Sequence, residues 1–559
     1  MKLKYTLTLI CSLFIHAGFS QIHLSTMVWG TEGNEATKAL ARDSEGNIYT
    51  GISLSTEMDF DLSDEDYLIS PIGLSDNVIA KYDHFGNLLW TINFGDDDKI
   101  QGYLDLVVDQ EDNLIGYGLV NGSIDYDPSD EDYVLNATGD ICVFKYTAEG
   151  ELVFAHVINA NYQTIRLDND DNIIVAGSFS GEVDFDPGAG ESILDSEEGN
   201  HYLLKLDNDG NYLWARNIGQ NENPVVVNDL GINSSNEIYI VGYFNDTLFY
   251  SVDGSDTFSV SEDGSDGAIL KYDFDGNIVW GTALHGESSQ RYERITVDHA
   301  DNLIIGGNNN GEADFDFGVS SDILTAPDNM LFIQKINSAH EHLWVGGMET
   351  DGSSADCYFA SIVVDQYNDI YFGGDLVANV FDVDPGPGTD NRPSWDDESD
   401  VLFAKWTSDG DMVWAKTFGR VGGDLIHTVV LDEVGSIYLA GRFRDNCDFD
   451  PNESTHFIDA VGNSDGYLSK YYQGLTGIEP TPVFDGLSVY PNPTAGTFTV
   501  SGLTAGDQVE VYSLNGELLM HDQAMNINHE ISLAHLADGV YLVKVVNNAS
   551  SRMVKVVKG

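Results

Sequence analysis

The chain repeats itself, and the repeat dictates what it can fold into. Asp-x-x-Gly/Asp-Asn, followed by an apolar run and a closing glycine, spans Asp43–Gly51, Asp109–Gly118, Asp168–Gly177, Asp298–Gly307, Asp365–Gly374 and Asp432–Gly441, with a weaker copy at Asn233–Gly242. The closing glycines lie 67, 59, 65, 65, 67 and 67 residues apart. A sustained period of this kind means like modules that bury their apolar faces against one another, because no single module can cover its own.

A second motif runs Lys-Tyr-Asp-x-x-Gly-Asn-x-x-Trp at Lys81–Trp90, Lys205–Trp214 and Lys271–Trp280. Variants are Lys145–Phe154, Lys335–Trp344 and Lys405–Trp414, and a seventh copy stops after Lys470-Tyr471. Each unit holds four short apolar or alternating runs, the pattern of strands. The Asp-x-x-Gly-Asn links between them suit tight turns, since Gly and Asn accept positive φ. Four-stranded units repeated radially make an all-β propeller, here with seven blades. The seventh unit lacks its last strand, and Met27-Val28-Trp29 at the other end of the chain supplies it, pairing beside Lys470-Tyr471 so that no blade keeps an open edge. The units resemble the bacterial SBBP-type β-propeller repeat over about residues 22–475. That resemblance implies a fold and leaves activity to be read from a site.

Composition narrows the setting. Lys2 and Lys4, then the apolar Leu7 to Ala17, then Gly18-Phe19-Ser20 read as a signal peptide over residues 1–20. Cys11 follows Leu9-Ile10, which lack the small residue of a lipobox. No later segment has enough consecutive apolar residues to span a membrane. The remaining cysteines, Cys142, Cys357 and Cys447, are odd in number and sit at different repeat positions, so they are expected as buried small hydrophobes. The formal net charge is −67. It argues against nucleic acid and anionic membranes as partners. From Asp485 to Gly559 there are 7 acidic and 4 basic residues, a net of −3, so nearly all the negative charge falls in the propeller.

After the repeats, residues 474–484 read as a Gly/Pro linker. Residues 485–559 then carry about seven short strands, with a hairpin signal at Asn515-Gly516, which suits a small immunoglobulin-like sandwich. Val489-Tyr490-Pro491-Asn492-Pro493-Thr494, Val511-Tyr512-Ser513-Leu514-Asn515-Gly516, Leu536-Ala537-Asp538-Gly539-Val540-Tyr541-Leu542-Val543-Lys544-Val545 and the closing Lys555-Val556-Val557-Lys558 resemble the type A C-terminal sorting domain of the type IX secretion system of Bacteroidetes-like bacteria. The resemblance implies passage through the periplasm, an encounter with the type IX machinery, and release from or attachment to the outer surface.

One more repeated element draws attention as chemistry. Asp-Phe-Asp-Pro and its variants place paired carboxylates at Asp59/Asp61, Asp125/Asp127, Asp184/Asp186, Asp314/Asp316, Asp382/Asp384 and Asp448/Asp450; the fourth unit lacks the motif around Asp246–Tyr250. In an extended segment both carboxylates point to one side, an arrangement that can hold calcium if other oxygens complete its six to eight ligands. By analogy with NHL-type propellers, these loops join the second and third strands and share a face with the blade-to-blade connections, such as Gly95-Asp96-Asp97-Asp98. The alternative is a solvated turn anchored by its aromatic residue. The Asp-x-Asp-Gly-Asn turns at Asp207–Asn211 and Asp273–Asn277 imitate calcium loops without the remaining ligands, and His340-Glu341-His342 reads as an exposed turn. No phosphate-cradling loop, His-Glu-x-x-His or Gly-x-Ser-x-Gly is present. No catalytic residue stands out, because 92 acidic residues hide any glycosidase pair. Three functions fit: a monomeric, non-enzymatic exported propeller that binds a glycan, protein or cation through an acidic loop face; an extracellular polysaccharide hydrolase or lyase; and a structural component of a surface matrix.

Overall fold

The computed structural model of the protein describes residues 20–61, 66–96, 102, 104–129, 132–218, 225–252, 255–350, 356–377, 381–392, 394, 398–432, 435–452, 455–474, 488–490, 494, 496–501, 503, 508–512, 518–524, 526, 528–537, 539–546 and 551–558. The signal-peptide stretch before residue 20, linker residues 475–484, Pro491–Pro493 and the Asn515-Gly516 turn lie outside the described residues. The chain divides into two compact units, meeting in sequence at Gly474 and Leu475.

The larger unit is a seven-bladed propeller of antiparallel four-stranded sheets, with Phe381–Asp382 added to the edge of blade five and Asn446–Asp448 and Phe457–Asp459 to that of blade six. Blade one is Ala36–Arg42, Ile48–Leu54, Asp76–Tyr82 and Leu88–Phe94. Blade two is Leu104–Val108, Leu114–Asp125, Val134–Tyr146 and Leu152–Ile158, and blade three is Asn161–Leu167, Ile173–Asp184, Ile193–Leu206 and Tyr212–Ile218. Blade four is Val226–Ile232, Ile238–Val252, Ser255–Tyr272 and Ile278–Leu284, and blade five is Ser289–Val297, Leu303–Asp314, Ile323–Ile336 and His342–Thr350. Blade six is Asp356–Val364, Ile370–Val377, Asp400–Trp406 and Met412–Arg420. Blade seven takes Leu425–Leu431, Ser436–Phe443 and Asp465–Gly474, and its outermost strand is Ser20–Trp29 from the chain's start. The first strands of the blades touch one another in a closed cycle, with blade seven's beside blade one's.

The clasp between the two ends has a definite register. Trp29 lies opposite Gly466 and His23 opposite Tyr471. The position facing Lys470, where other blades carry their Trp, is Ser25. Trp29 therefore does not stand in for the missing motif Trp. It occupies the place of Phe94 and Phe418, in the seam with blade one, where its indole N–H donates to Tyr82 Oη at 3.0 Å.

The cores lie in the seams between blades. One groups Ile115 and Val143 of blade two with Ile165, Phe185 and Leu204 of blade three; another groups Ile174 and Trp214 of blade three with Leu230 and Leu270 of blade four. Polar latches stitch the seams at one end of each blade. The Lys of every third strand pairs with an acid at the turn between the first two strands: Lys81–Asp43 at 3.1 Å, Lys145–Asp109 at 2.8 Å, Lys205–Asp168 at 2.7 Å, Lys335–Asp298 at 3.0 Å, Lys405–Asp365 at 3.2 Å and Lys470–Asp432 at 4.0 Å. Blade four has Asn233 at the turn, and Glu237 supplies the charge instead, 2.7 Å from Lys271. The ammonium and indole then reach the next blade together. Lys81 and Trp90 both donate to the carbonyl of Ala148, Lys205 and Trp214 to that of Phe274, and Lys335 and Trp344 to that of Ser408.

The turns run on carboxylates. Asp83 Oδ1 accepts from the N–H groups of Phe85 and Asn87, and its Oδ2 accepts from the Asn87 amide; Gly86 between them sits at φ 90°. Where the glycine is replaced, Asp112, Asp171, Asn236, Asp301 and Asn368 take positive φ, and each side chain accepts an N–H from the preceding blade's turn. Burial pushes the Asp168 carboxyl up, but hydrogen bonds from Lys205 and Asn172 outweigh it and hold the group below its usual range. Asp109 and Asp298 are held low in the same way.

The smaller unit is a sandwich. One sheet orders Ser488–Tyr490, Thr497–Ser501 and Asn528–Ser532; the other orders Leu518–Gln523, Gln508–Tyr512, Gly539–Val546 and Ser551–Lys558. Phe498, Val500, Ile531, Val509, Val511, Val543 and Val545 fill the space between them. Tyr541 Oη donates to the Ala537 carbonyl at 2.6 Å, pinning the corner that enters its strand.

Two predictions follow from the latches and one seam. Lys205→Met leaves the Asp168 carboxylate buried without its cation and should cost about 3–5 kcal/mol in urea unfolding of the propeller. At the seam of blades six and seven, burial raises the Asp424 carboxyl to about 8, with Asp400 adding to the effect against hydrogen bonds from the Arg444 and Arg420 N–H groups. A folded pKa above the unfolded one adds stability below the unfolded value and loses it as pH rises through the folded one. Melting temperature should therefore fall between about pH 5 and pH 8, and Asp424→Asn should flatten that slope.

Candidate functional site

The loops between second and third strands determine what one end of the propeller presents, and all six Asp-x-Asp loops begin alike. The first Asp turns its Oδ1 inward to accept two backbone N–H groups, two and eight residues on. Asp59 takes Asp61 and Tyr67, Asp125 takes Asp127 and Tyr133, Asp184 takes Asp186 and Ser192. Asp314 takes Asp316 and Asp322, Asp382 takes Asp384 and Asp390, Asp448 takes Asp450 and His456. The second carboxylate accepts the N–H two residues beyond it at Asp127, Asp186, Asp316, Asp384 and Asp450. At Asp314 slight burial is outweighed by the Asp322 and Asp316 N–H groups, which keep the carboxyl below its usual range.

The residue between the two aspartates points the other way. Phe60, Phe185, Phe315, Val383 and Phe449 are fully buried, and Tyr126 nearly so. Its carbonyl accepts a side-chain donor from the third strand: Tyr82 to Phe60, Tyr146 to Tyr126, Gln334 to Phe315 and Tyr471 to Phe449. The paired carboxylates thus close a loop whose aromatic plug is driven into the seam. They stay in six separate blades, and among the described residues no three His, Cys, Asp or Glu side chains are grouped to hold a metal.

Blade four breaks the pattern. With no Asp-x-Asp clamp, its second and third strands run on as a hairpin, paired from Thr247–Val260 to Val252–Ser255. The hairpin and the neighbouring loop of blade five flank an open cavity of about 380 Å³. Tyr250, Phe317, Asp314 and Asp316 line it, together with Ser259 and His285. Ser259 Oγ lies 2.7 Å from His285 Nε2, and His285 Nδ1 lies 2.6 Å from Asp266 Oδ2. The Asp266 side chain is 4% exposed and the imidazole 51%. Sequence reading passed over these three residues. A signal was there: His285 follows the fourth strand at the position held by Gly95, Gly419 and Gly30 in blades one, six and seven. A side chain at any of those glycines would run into the carboxylate of Asp76, Asp400 or Asp465.

Two other places concentrate polar groups. On the innermost strands, Arg166 Nη2 lies 2.6 Å from Asp229 and Nη1 3.7 Å from Asp105, joining blades two, three and four around the axis. A bulge residue on these strands reaches the next blade: Asn228 donates to the Tyr292 carbonyl, Glu293 accepts from the Phe359 N–H, and His427 Nδ1 donates to the Thr37 carbonyl. The second place is a groove of about 430 Å³ at the clasp, lined by Ser25, Met27, Phe85 and Lys470, where the seventh blade lacks its Trp. His340 is packed, not exposed as its sequence suggested. Its ring stacks 4.3 Å from Trp280 because it stands where other turns put a glycine against that indole, and burial lowers its pKa. His342 bonds to Asp322 at 2.9 Å.

Comparison with known proteins adds the following. The chain is 26% identical over 346 residues, 51% of its length, to the uncharacterized WD repeat-containing protein L264 of Acanthamoeba polyphaga mimivirus; it spans only 25% of that relative. Among solved structures, PorZ, a surface component of the type-IX secretion system of Porphyromonas gingivalis, is 12% identical, with 95% of this chain and 100% of that one covered at a TM-score of 0.17. A protein of unknown function from Dyadobacter fermentans is 9% identical, with 81% and 100% covered at a TM-score of 0.33. At such scores neither likeness carries an argument. Residues 488–559, however, match the family model of the secretion system C-terminal sorting domain. No helix among the described residues is long and apolar enough to cross a membrane. The sandwich at the end of this chain is a type IX sorting tail, and the protein is exported to the cell surface or the extracellular space.

Proposed function

We propose that the exported propeller is a glycan-binding protein whose site is the cavity between blades four and five. One observation carries this reading: of seven like blades, only the fourth exchanges its loop clamp for a hairpin, and the exchange opens the cavity. Rings from Tyr250 and Phe317 beside carboxylates from Asp314 and Asp316 offer a sugar apolar faces for its C–H groups and acceptors for its hydroxyls. The surrounding negative charge turns away polyanions such as nucleic acid. The C-terminal tail engages the type IX machinery on the way out. A glycan array probed with the exported chain should give a defined set of hits. Tyr250→Ala and Phe317→Ala should each weaken those hits about tenfold, roughly 1.4 kcal/mol. No hits, or hits indifferent to both changes, would remove the cavity as the site.

The Asp-x-Asp loops outside that cavity act in this reading as scaffold. Calcium at Asp59, Asp61, Asp125, Asp127, Asp184, Asp186, Asp314, Asp316, Asp382, Asp384, Asp448 and Asp450 is the competing proposal, and the two part on one measurement. If the first aspartate serves as a clamp, Asp184→Ala should cost about 1–2 kcal/mol for two lost N–H acceptors, equally in chelator and in millimolar calcium. A melting point that climbs several degrees with calcium in the wild-type chain would favour the ion.

A further inference from the structure

We propose that Ser259, His285 and Asp266 form a nucleophile, general base and orienting carboxylate that hydrolyse carboxylic esters bound in the blade four–five cavity. The proposal rests on the reading of that cavity as the ligand site and assigns it a chemistry. The geometry is that of an activated hydroxyl. With Nδ1 carrying the proton that Asp266 accepts at 2.6 Å, Nε2 accepts from Ser259 Oγ at 2.7 Å. The base is half-exposed, while the carboxylate behind it is almost wholly buried.

What sets this group apart from ordinary packing is the comparison with its sister blades. The carboxylate that begins the third strand is capped by backbone in blade one, where Asp76 accepts from Ile72 and Gly73, and in blade seven, where Asp465 accepts from Val461 and Gly462. In blade four the histidine stands in the glycine's place, and the hairpin brings a serine to the far nitrogen. Three departures from the repeat thus meet at one point: the hairpin, the histidine and the serine. All three lie where a cavity exists to receive a ligand.

The reaction balances with water as the only co-reactant. Ser259 Oγ bonds to the ester carbonyl carbon as its proton passes to His285 Nε2. The carbon–oxygen bond to the leaving alcohol breaks, and His285 returns the proton to that oxygen. Water, giving a proton to the same nitrogen, then attacks the acyl-serine and releases the acid, with the proton restored to Ser259. Ser259 and His285 are the catalytic residues. Asp266 is a positioning residue, fixing the tautomer and stabilising the imidazolium.

The test uses the exported chain, a fluorophosphonate probe and p-nitrophenyl acetate. The probe should label Ser259, located by peptide mass spectrometry. Ester turnover should fall by about a hundredfold or more in Ser259→Ala and in His285→Ala, and the melting point of Ser259→Ala should stay unchanged because Ser259 lies on the half-exposed hairpin. Asp266→Asn should shift the pH midpoint of labelling downwards, since the imidazolium loses its counter-charge; an unmoved midpoint overturns the part given to Asp266. No label at Ser259, or turnover equal in Ser259→Ala, overturns the proposal. Glycan hits without label sink the triad alone, whereas label without glycan hits sinks the binding reading alone.

Discussion

A four-stranded blade has two apolar faces and can cover neither. Everything in the larger unit follows from that constraint. Each blade buries Ile, Val, Leu and aromatic side chains against the next, so the array is stable only when the last blade meets the first. The first strands of blades one and seven touch, and the chain's opening strand completes the seventh sheet. Closure is thus made by the strand-to-strand hydrogen bonds of the clasp. Ser20–Trp29 occupies an edge that would otherwise offer unpaired N–H and C=O groups to any passing strand.

The acidic composition is less strange once the carboxylates are followed to their partners. Many of them accept backbone N–H groups inside their own turns, as Asp83, Asp109, Asp168 and Asp298 do, or close the second loop, as Asp59 and Asp184 do. Others neutralise the seven lysines that point into the turns. A strand-to-strand turn leaves several N–H groups without a ladder partner, and an aspartate at its start satisfies two or three of them at once. The repeated aspartate is therefore the counterpart, in a turn-rich fold, of the capping residue at a helix end. The charge that remains faces water, where it keeps an exported protein soluble.

Function is sought where symmetry fails. Six blades repeat one loop device so closely that no one of them distinguishes itself, and a ring of like loops is scaffold before it is a site. Blade four spends the same stretch of chain on a hairpin, and its loss of the clamp leaves room beside blade five. The glycine that elsewhere admits a capped carboxylate is there His285, which needs a different neighbour, and Ser259 provides it. The Trp-less groove at the clasp is a second break in symmetry, produced by Ser25 standing opposite Lys470.

By itself the sequence determined the all-β class, the seven blades and the sorting tail. These depend on spacing along the chain: apolar runs of strand length, turn aspartates at a steady period, and a terminal segment with its own signature. It also marked the Asp-x-Asp pairs as a repeated element of six blades with both carboxylates on one side, because alternation in an extended segment is a local property. Only the tertiary structure decided how those carboxylates are used, since their N–H partners lie up to eight residues ahead across a folded loop. It alone decided that Trp29 fills a seam and leaves the motif position to Ser25, because strand register between distant segments is set by packing. And it alone joined Ser259, Asp266 and His285: the serine on the third strand and the histidine just after the fourth stand 26 residues apart, an alignment that no local pattern reports.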